Sequence, residues 1–409
     1  SILEFVGNKV TKVDIVNDRG IHICKSMLAY QKWSKKKVPD KKSDHFVGDL
    51  YVLYNQHESD ATKKEIEEML LKWEKNDKPT RALWKKLNAW AIKGIQETYK
   101  RIGLKFSKVY FESEHYDKGR KLVLDGFKKK LFKKEDGAII ADLSKFKLDK
   151  KVLLRANGTT VYVTQDMHLA ISRFKDFKFK KLIYVVASEQ DYHFKVLFNL
   201  LKLLKQPFAD SCFHLSYGMV NLPEGKMKSR EGTVVDADAL LDEMEALAFV
   251  EVKSRYKNLT DSEIQKRAKM IGHAALRFFL LKVDAVRDVT FNPKESLSFE
   301  GETGPYVQYA HARICSILKK AKSTGKANVE LYDATEINLI KKLNDFSSVT
   351  LNSSTHLRPH MVAHYVLELA QEFNTYYNSH NILKADKNTK EARLFLINQI
   401  KSVLKQGLK

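Results

Sequence analysis

Val152-Leu153-Leu154-Arg155-Ala156-Asn157-Gly158-Thr159-Thr160-Val161-Tyr162-Val163-Thr164-Gln165-Asp166 is the stretch on which the fold turns. Two strand-like runs, Val152 to Arg155 and Thr159 to Thr164, flank Asn157-Gly158, the dipeptide best suited to the positive φ angles of a tight turn. The pattern predicts a hairpin. Beyond it come a helix from about Met167 to Phe174 and a strand at Leu182 to Ala187. An amphipathic helix carrying Phe194, Leu197, Leu201 and Leu204 follows, then a strand at Phe213 to Tyr217. Strands alternating with helices of this length imply parallel pairing in a doubly wound α/β sheet.

Toward the N-terminus, the β-branched run Val13 to Val16 stops at Asn17-Asp18-Arg19-Gly20, a strand followed by a tight turn, and a helix follows from about Ile21. Residues from about 34 to 135 read as a mostly helical insertion, with Trp73, Trp84, Trp90 and Ile95 at spacings that suit helix faces. Toward the C-terminus the strands stop after about Asp236. Helices are expected at Leu240 to Leu247, Asp261 to Val283, Tyr306 to Lys320, Ala334 to Ser347, His360 to Asn378 and Lys390 to Lys405. The expected organisation is an α/β domain over 1–235, a helical connecting segment over 236–296 and an all-helical domain over 297–409.

Composition narrows the function. The 409 residues include 44% hydrophobic and 30% charged side chains, with 7 prolines and 17 glycines, which is globular rather than low-complexity composition. No apolar run approaches the roughly 18 residues that cross a bilayer. Cys24, Cys212 and Cys315 lie far apart without Cys-x-x-Cys spacing, so no zinc knuckle or disulfide framework is available and a reducing, cytoplasmic compartment is expected. Lys and Arg number 72 against 50 Asp and Glu, a formal +22 that points to a polyanionic partner, nucleic acid first; a generally Lys-rich surface is the plainer explanation.

In an open α/β sheet, ligands bind beyond the carboxyl ends of the strands. Here those ends are polar. Thr159 to Thr164 runs into Gln165-Asp166, Leu182 to Ala187 into Ser188-Glu189-Gln190-Asp191, and Phe213 to Tyr217 into Gly218-Met219. Tyr162 and Asp166, four residues apart, can place a phenol and a carboxylate on one side of a pocket that Gln190 enters from the next strand. Such a set suits a cationic, hydrogen-bonding small ligand, because a buried carboxylate needs a charge partner. The competing interpretation makes Asp166 a helix cap and Tyr162 a core residue. Neither a P-loop nor Gly-x-Gly-x-x-Gly is present, but Gly225-Lys226-Met227-Lys228-Ser229-Arg230-Glu231-Gly232-Thr233 forms a basic loop between glycines, able to close over a polyphosphate.

Together these segments resemble the arginyl-tRNA synthetase family of class I aminoacyl-tRNA synthetases. The matching text is Val16 to His22 (VNDRGIH), Leu154 to Arg173 (LRANGTTVYVTQDMHLAISR), Ile183 to Phe194 (IYVVASEQDYHF), His214 to Val235 (HLSYGMVNLPEGKMKSREGTVV) and Leu297 to Arg313 (LSFEGETGPYVQYAHAR). The resemblance implies a Rossmann-like class I catalytic domain with a helical insertion, followed by an all-α anticodon-binding domain. It implies arginine binding by Tyr162, Asp166 and Gln190, and an ATP site at His214, Gly218, Met219 and Val220. The Lys226 to Arg230 loop is similar to the KMSKS signature but one residue shorter. The pyrophosphate-side role falls on Lys228, and Lys226 is its companion in the catalytic assignment.

For tRNA the resemblance and the aromatic pattern single out Tyr306, Gln308, Tyr309, Arg313, Asn374, Tyr376 and Tyr377, with His311 in the same block. Implied partners are tRNA(Arg), L-arginine and ATP with Mg2+, acting on a monomer without a protein-bound metal. The family's His-x-Gly-His motif is absent from the sequence, which starts at Ser1 and reads as the middle of a larger protein. Two functions therefore stay open: an arginine–tRNA ligase, or a tRNA-binding fragment or paralogue that cannot form adenylate.

Overall fold

The computed structural model describes residues 2–221 and 236–408. Residues 11–216 form one compact unit, and residues 2–10, 217–221 and 236–408 form another. No helix among the described residues is long and apolar enough to cross a membrane.

In the first unit, Val13–Val16 pairs in parallel with Lys108–Phe111, Val13 opposite Lys108 and Val16 opposite Phe111. Lys108–Phe111 is thus a strand of the sheet region inside the span expected to be a helical insertion. Between these two strands lie the helices Ile21–Lys32, Ser43–Gln56, Asp60–Glu74 and Lys78–Arg101. Ser59 starts Asp60–Glu74 with a capping box closed by Thr62, and the Asp77 side chain accepts from the Thr80 amide at the start of Lys78–Arg101. Met27, Leu50, Tyr54 and Leu87 bury the facing stripes of these helices in one core.

A second core holds the rest of the unit. Lys133–Glu135, Ala138–Ala141 and Lys151–Leu154 make a three-stranded antiparallel sheet, and Leu182–Ala187 lies beside Cys212–Tyr217 in a two-stranded one. The alternation of strand and helix is as expected, but among the described residues the ladders are short separate groups rather than one continuous sheet.

The opening stretch folds differently from its pattern. The turn is present: Gly158 has φ +77°, and the Asn157 side chain accepts from the Thr159 amide at 3.1 Å. The second strand is not. Only Thr160 bridges Leu154, and a helix begins at Tyr162 and runs to Phe177. Val163, Met167 and Ala170 fall on one helical face and are buried with Leu153, Leu154 and Leu197. That burial outweighs the β preference of Thr, Val and Tyr.

The second unit is mainly helical: Ala237–Arg255, Asp261–Leu281, Gly304–Ala321, Ala334–His356, His360–Ser379 and Lys387–Gly407. Capping boxes at Thr260 with Glu263 and at Asp333 with Glu336 start two of them. Ile314, Leu369, Phe373, Ile397 and Leu404 are fully buried at the centre. Strand structure does not end at Asp236, because Val289–Thr290 pairs in parallel with Val220–Asn221.

Candidate active site

Because the helix starts at Tyr162, Tyr162 and Asp166 stand one turn apart on it. Tyr162 is 68% exposed and fills no core. Asp166 lies inside the helix, and the residue preceding the helix is Val161, so Asp166 is no N-cap. Its Oδ2 instead lies 2.7 Å from Nε2 of His193. The sequence reading missed His193. Its signal was its place three residues after Gln190, one turn into the helix Asp191–Leu203. Gln190 is exposed in the short turn Ser188–Gln190 that follows the strand Leu182–Ala187. The strand-end turn bearing Gln190 is thereby tied, through His193, to the helix bearing Asp166.

Thr164, fully buried on the other face of that helix, donates to the Leu153 carbonyl at 2.9 Å. A Cβ on Gly119 would sit 2.4 Å from the Thr164 carbonyl oxygen, so glycine lets the helix Lys118–Lys128 pack closely here. Nearby, Nδ1 of His115 and Nδ1 of His168 are 3.3 Å apart. Burial pushes both imidazoles below their ordinary pKa, helped by the positive charge of Lys118.

At the polar end of Val13–Val16 the side chains of Asn17 and Asp18 are taken up by partners within the protein, while the buried Nε of Arg19 has none among the described residues. Asp18 is 3% exposed, and its carboxylate accepts from the Ser113 amide at 2.8 Å and the Ser113 hydroxyl at 2.6 Å. Its carbonyl accepts from Trp84 and Asn88. Arg19 lies over the Tyr116 ring at 4.0 Å and pairs with Glu74. Asn17 donates to the buried Glu112 at 3.0 Å. These groups brace the loop ends and leave Asp18 little capacity for a ligand.

On the assigned ATP side, His214 of the strand Cys212–Tyr217 contacts the Val186 carbonyl through Nε2 at 2.9 Å and Asp191 through Nδ1 at 3.2 Å. Phe194 lies over its ring at 4.3 Å. In the second unit, the Gly218 amide donates to the Ala285 carbonyl at 2.7 Å and the Met219 amide to Asp288 at 2.6 Å. A Cβ on Gly218 would lie 2.3 Å from the Arg287 backbone, so this close approach requires glycine. Met219 is 41% exposed and Val220 pairs with Val289. Lys226 and Lys228 lie outside the described residues.

In the helical domain, Arg313 donates through Nη1 to Asn374 Oδ1 at 2.8 Å and through Nη2 to the Tyr309 hydroxyl at 3.1 Å. Its guanidinium also lies 4.8 Å from the Tyr377 ring centre. Tyr309 and Tyr377 are 39% and 38% exposed, which leaves an aromatic and amide surface around one cation. Tyr306 packs half-buried against the core, and Gln308 has a buried Oε1 without a partner. Tyr376 departs from expectation. It is fully buried and donates to Glu336, so it is a core residue with no face for a base.

A model described as tRNA synthetases class I (R), catalytic domain, matches residues 1–293, and the DALR anticodon binding domain matches residues 307–409. The arginine–tRNA ligase of Treponema denticola is 49% identical over the whole chain, which covers 72% of that protein. The chain belongs to the arginyl-tRNA synthetase family. The Bacteroides fragilis arginine–tRNA ligase is 45% identical over 98% of the chain and 73% of its own length. The arginyl-tRNA synthetase structure from Thermus thermophilus superposes with a TM-score of 0.88 at 26% identity, covering all of this chain and 75% of that one. Within the family's organisation, the helix bearing Tyr162 and Asp166 falls in the class I catalytic domain. The Arg313 cluster falls in the DALR domain.

Proposed function

We propose that the chain performs the reaction of its family as an arginine–tRNA ligase. ATP and arginine give arginyl-adenylate and pyrophosphate; a terminal ribose hydroxyl of tRNA(Arg) then attacks the adenylate carbonyl. The observation that carries this reading is the Tyr162–Asp166 helix turn, with an exposed phenol and a carboxylate held by His193. Asp166 meets the guanidinium, and Tyr162 and Gln190 complete its hydrogen bonding. His214 is assigned to ATP in the first unit, and Gly218, Met219 and Val220 in the second. Lys228, with Lys226, neutralises charge that develops on the phosphates.

Mg2+ arrives with the triphosphate as part of that substrate. Asp191 is engaged by His214, and Asp288 by the Met219 amide, so neither is assigned as a ligand. Tyr306, Gln308, Tyr309, Arg313, Asn374 and Tyr377 are assigned to tRNA, acting on a cytoplasmic monomer. Arginine-dependent exchange of pyrophosphate into ATP, measured on the full-length gene product with cognate tRNA, tests the reading. Exchange that vanishes in Asp166→Ala supports it. No exchange in the unaltered protein would restore the tRNA-binding alternative.

A further inference from the structure

We infer that His193 is the positioning residue for Asp166, and that its protonation sets how strongly the site takes arginine. The inference rests on the assignment of Asp166 to the substrate guanidinium.

A carboxylate that must receive a guanidinium needs a fixed orientation and its full negative charge. His193 supplies both while neutral. Its Nε2–H donates to Oδ2 of Asp166 at 2.7 Å, which fixes the carboxylate plane and leaves Oδ1 for the incoming cation. The side chains of His193 and Asp166 are 24% and 33% exposed, so the pair is shielded without being cut off from solvent. Edge-on packing of Phe194 against the imidazole, with ring centres 5.5 Å apart, limits its movement.

Protonation reverses the effect. An imidazolium paired with Asp166 makes the couple neutral, and the guanidinium then competes with a cation that is already in place. Bound arginine and a charged His193 are mutually unfavourable, so each weakens the other by the same factor.

Other ionisable groups surround this pair. Asp191, on the same helix as His193, is engaged by His214 of the neighbouring strand. Tyr184, from the strand Leu182–Ala187, packs half-buried beside Phe194 with its hydroxyl enclosed, and that desolvation pushes its phenol pKa up. Arg173, further along the helix of Asp166, lies 5.4 Å from the Tyr184 ring. Asp166 is the one ionisable group within hydrogen-bond distance of the His193 imidazole among the contacts described. Its charge state therefore bears on Asp166 first.

Arginine binding to the full-length protein without ATP, followed by calorimetry across pH, reads this directly. From about pH 8 to about pH 5.5, Kd should rise roughly fivefold or more as the imidazole takes up a proton. His193→Gln keeps an N–H donor but cannot charge, so its Kd should change less than about twofold over that range. In parallel, the NMR titration of the His193 ring should move to lower pH when arginine saturates the site, a readout independent of any variant's folding. Equal pH dependence in the wild type and His193→Gln, or a ring titration unmoved by arginine, overturns the inference. If Asp166→Ala instead leaves arginine binding intact, the substrate assignment itself has failed. These two failures are separable.

Discussion

Tyr376 donates its hydroxyl to the Glu336 carboxylate at 2.7 Å, and both side chains are completely withdrawn from solvent. Arg393 donates to the same Glu336 oxygen at 2.8 Å and supplies the opposite charge. The Glu336 carboxylate is thus locked among three helices of the anticodon-binding domain.

Removing one partner of a buried charge pair leaves the other unsatisfied, at a cost of about 3–5 kcal/mol. Arg393→Ala should therefore lower the stability of the helical domain by that order, and Tyr376→Ala should destabilise it through lost packing as well. Denaturant unfolding followed by circular dichroism measures both. Tyr377→Ala should unfold no earlier than the wild type yet lose tRNA affinity by about 1–3 kcal/mol, the value of one stacked base. Unchanged tRNA affinity would make Tyr377 a packing residue too.

Asp166→Ala removes the only charge assigned to the substrate guanidinium. The expected loss is about 2–5 kcal/mol in kcat/KM for arginine, with tRNA affinity unchanged. Steady-state exchange kinetics and a tRNA filter-binding titration give the two numbers. A parallel fall in tRNA binding would mean that the helix Tyr162–Phe177 itself had been disrupted.

Gly218→Ala places a methyl group within 2.3 Å of the Arg287 backbone, where no flexible side chain can yield. The strand Val220–Asn221 or its partner Val289–Thr290 must shift, at a cost of about 1–3 kcal/mol. The assigned role of Gly218 to Val220 predicts a raised KM for ATP with the KM for arginine nearly unchanged. The opposite pattern would remove these residues from the nucleotide site.

The His115 and His168 imidazoles are held below their ordinary pKa chiefly by burial, with Lys118 lowering both and His115 lowering His168 further. The unfolded chain therefore binds more protons than the folded one once the pH falls to about 6.5. The stability tied to the neutral pair is complete above that pH and declines below it. Thermal melts at about pH 7.5 and about pH 5.5 should show a smaller acid loss in His168→Gln than in the wild type. Equal losses would show that other groups govern the acid response.

Much of this molecule was legible in local pattern. The Asn157-Gly158 turn, the strands Leu182–Ala187 and Val13–Val16 and all six long helices after Asp236 follow from periodicity, caps and turn chemistry, because those signals act within a few residues. The grouping of Tyr162 with Asp166 was expected across a strand-to-helix junction; that both stand on one helix, a turn apart, was not legible locally.

What needed the tertiary structure was every decision made by a partner distant in sequence. Burial of Val163 and Met167 against Leu153 and Leu197 turned a strand-like run into a helix. A ring 27 residues from Asp166, on another helix, became its hydrogen-bond partner. Glu336, 40 residues from Tyr376, drew a tyrosine with a plausible stacking pattern into the core, while its neighbour Tyr377 stayed at the surface beside Arg313. Local sequence sets which faces a segment can present. Which face is buried depends on what packs against it, and a propensity of about 1 kcal/mol yields to the burial of several apolar side chains.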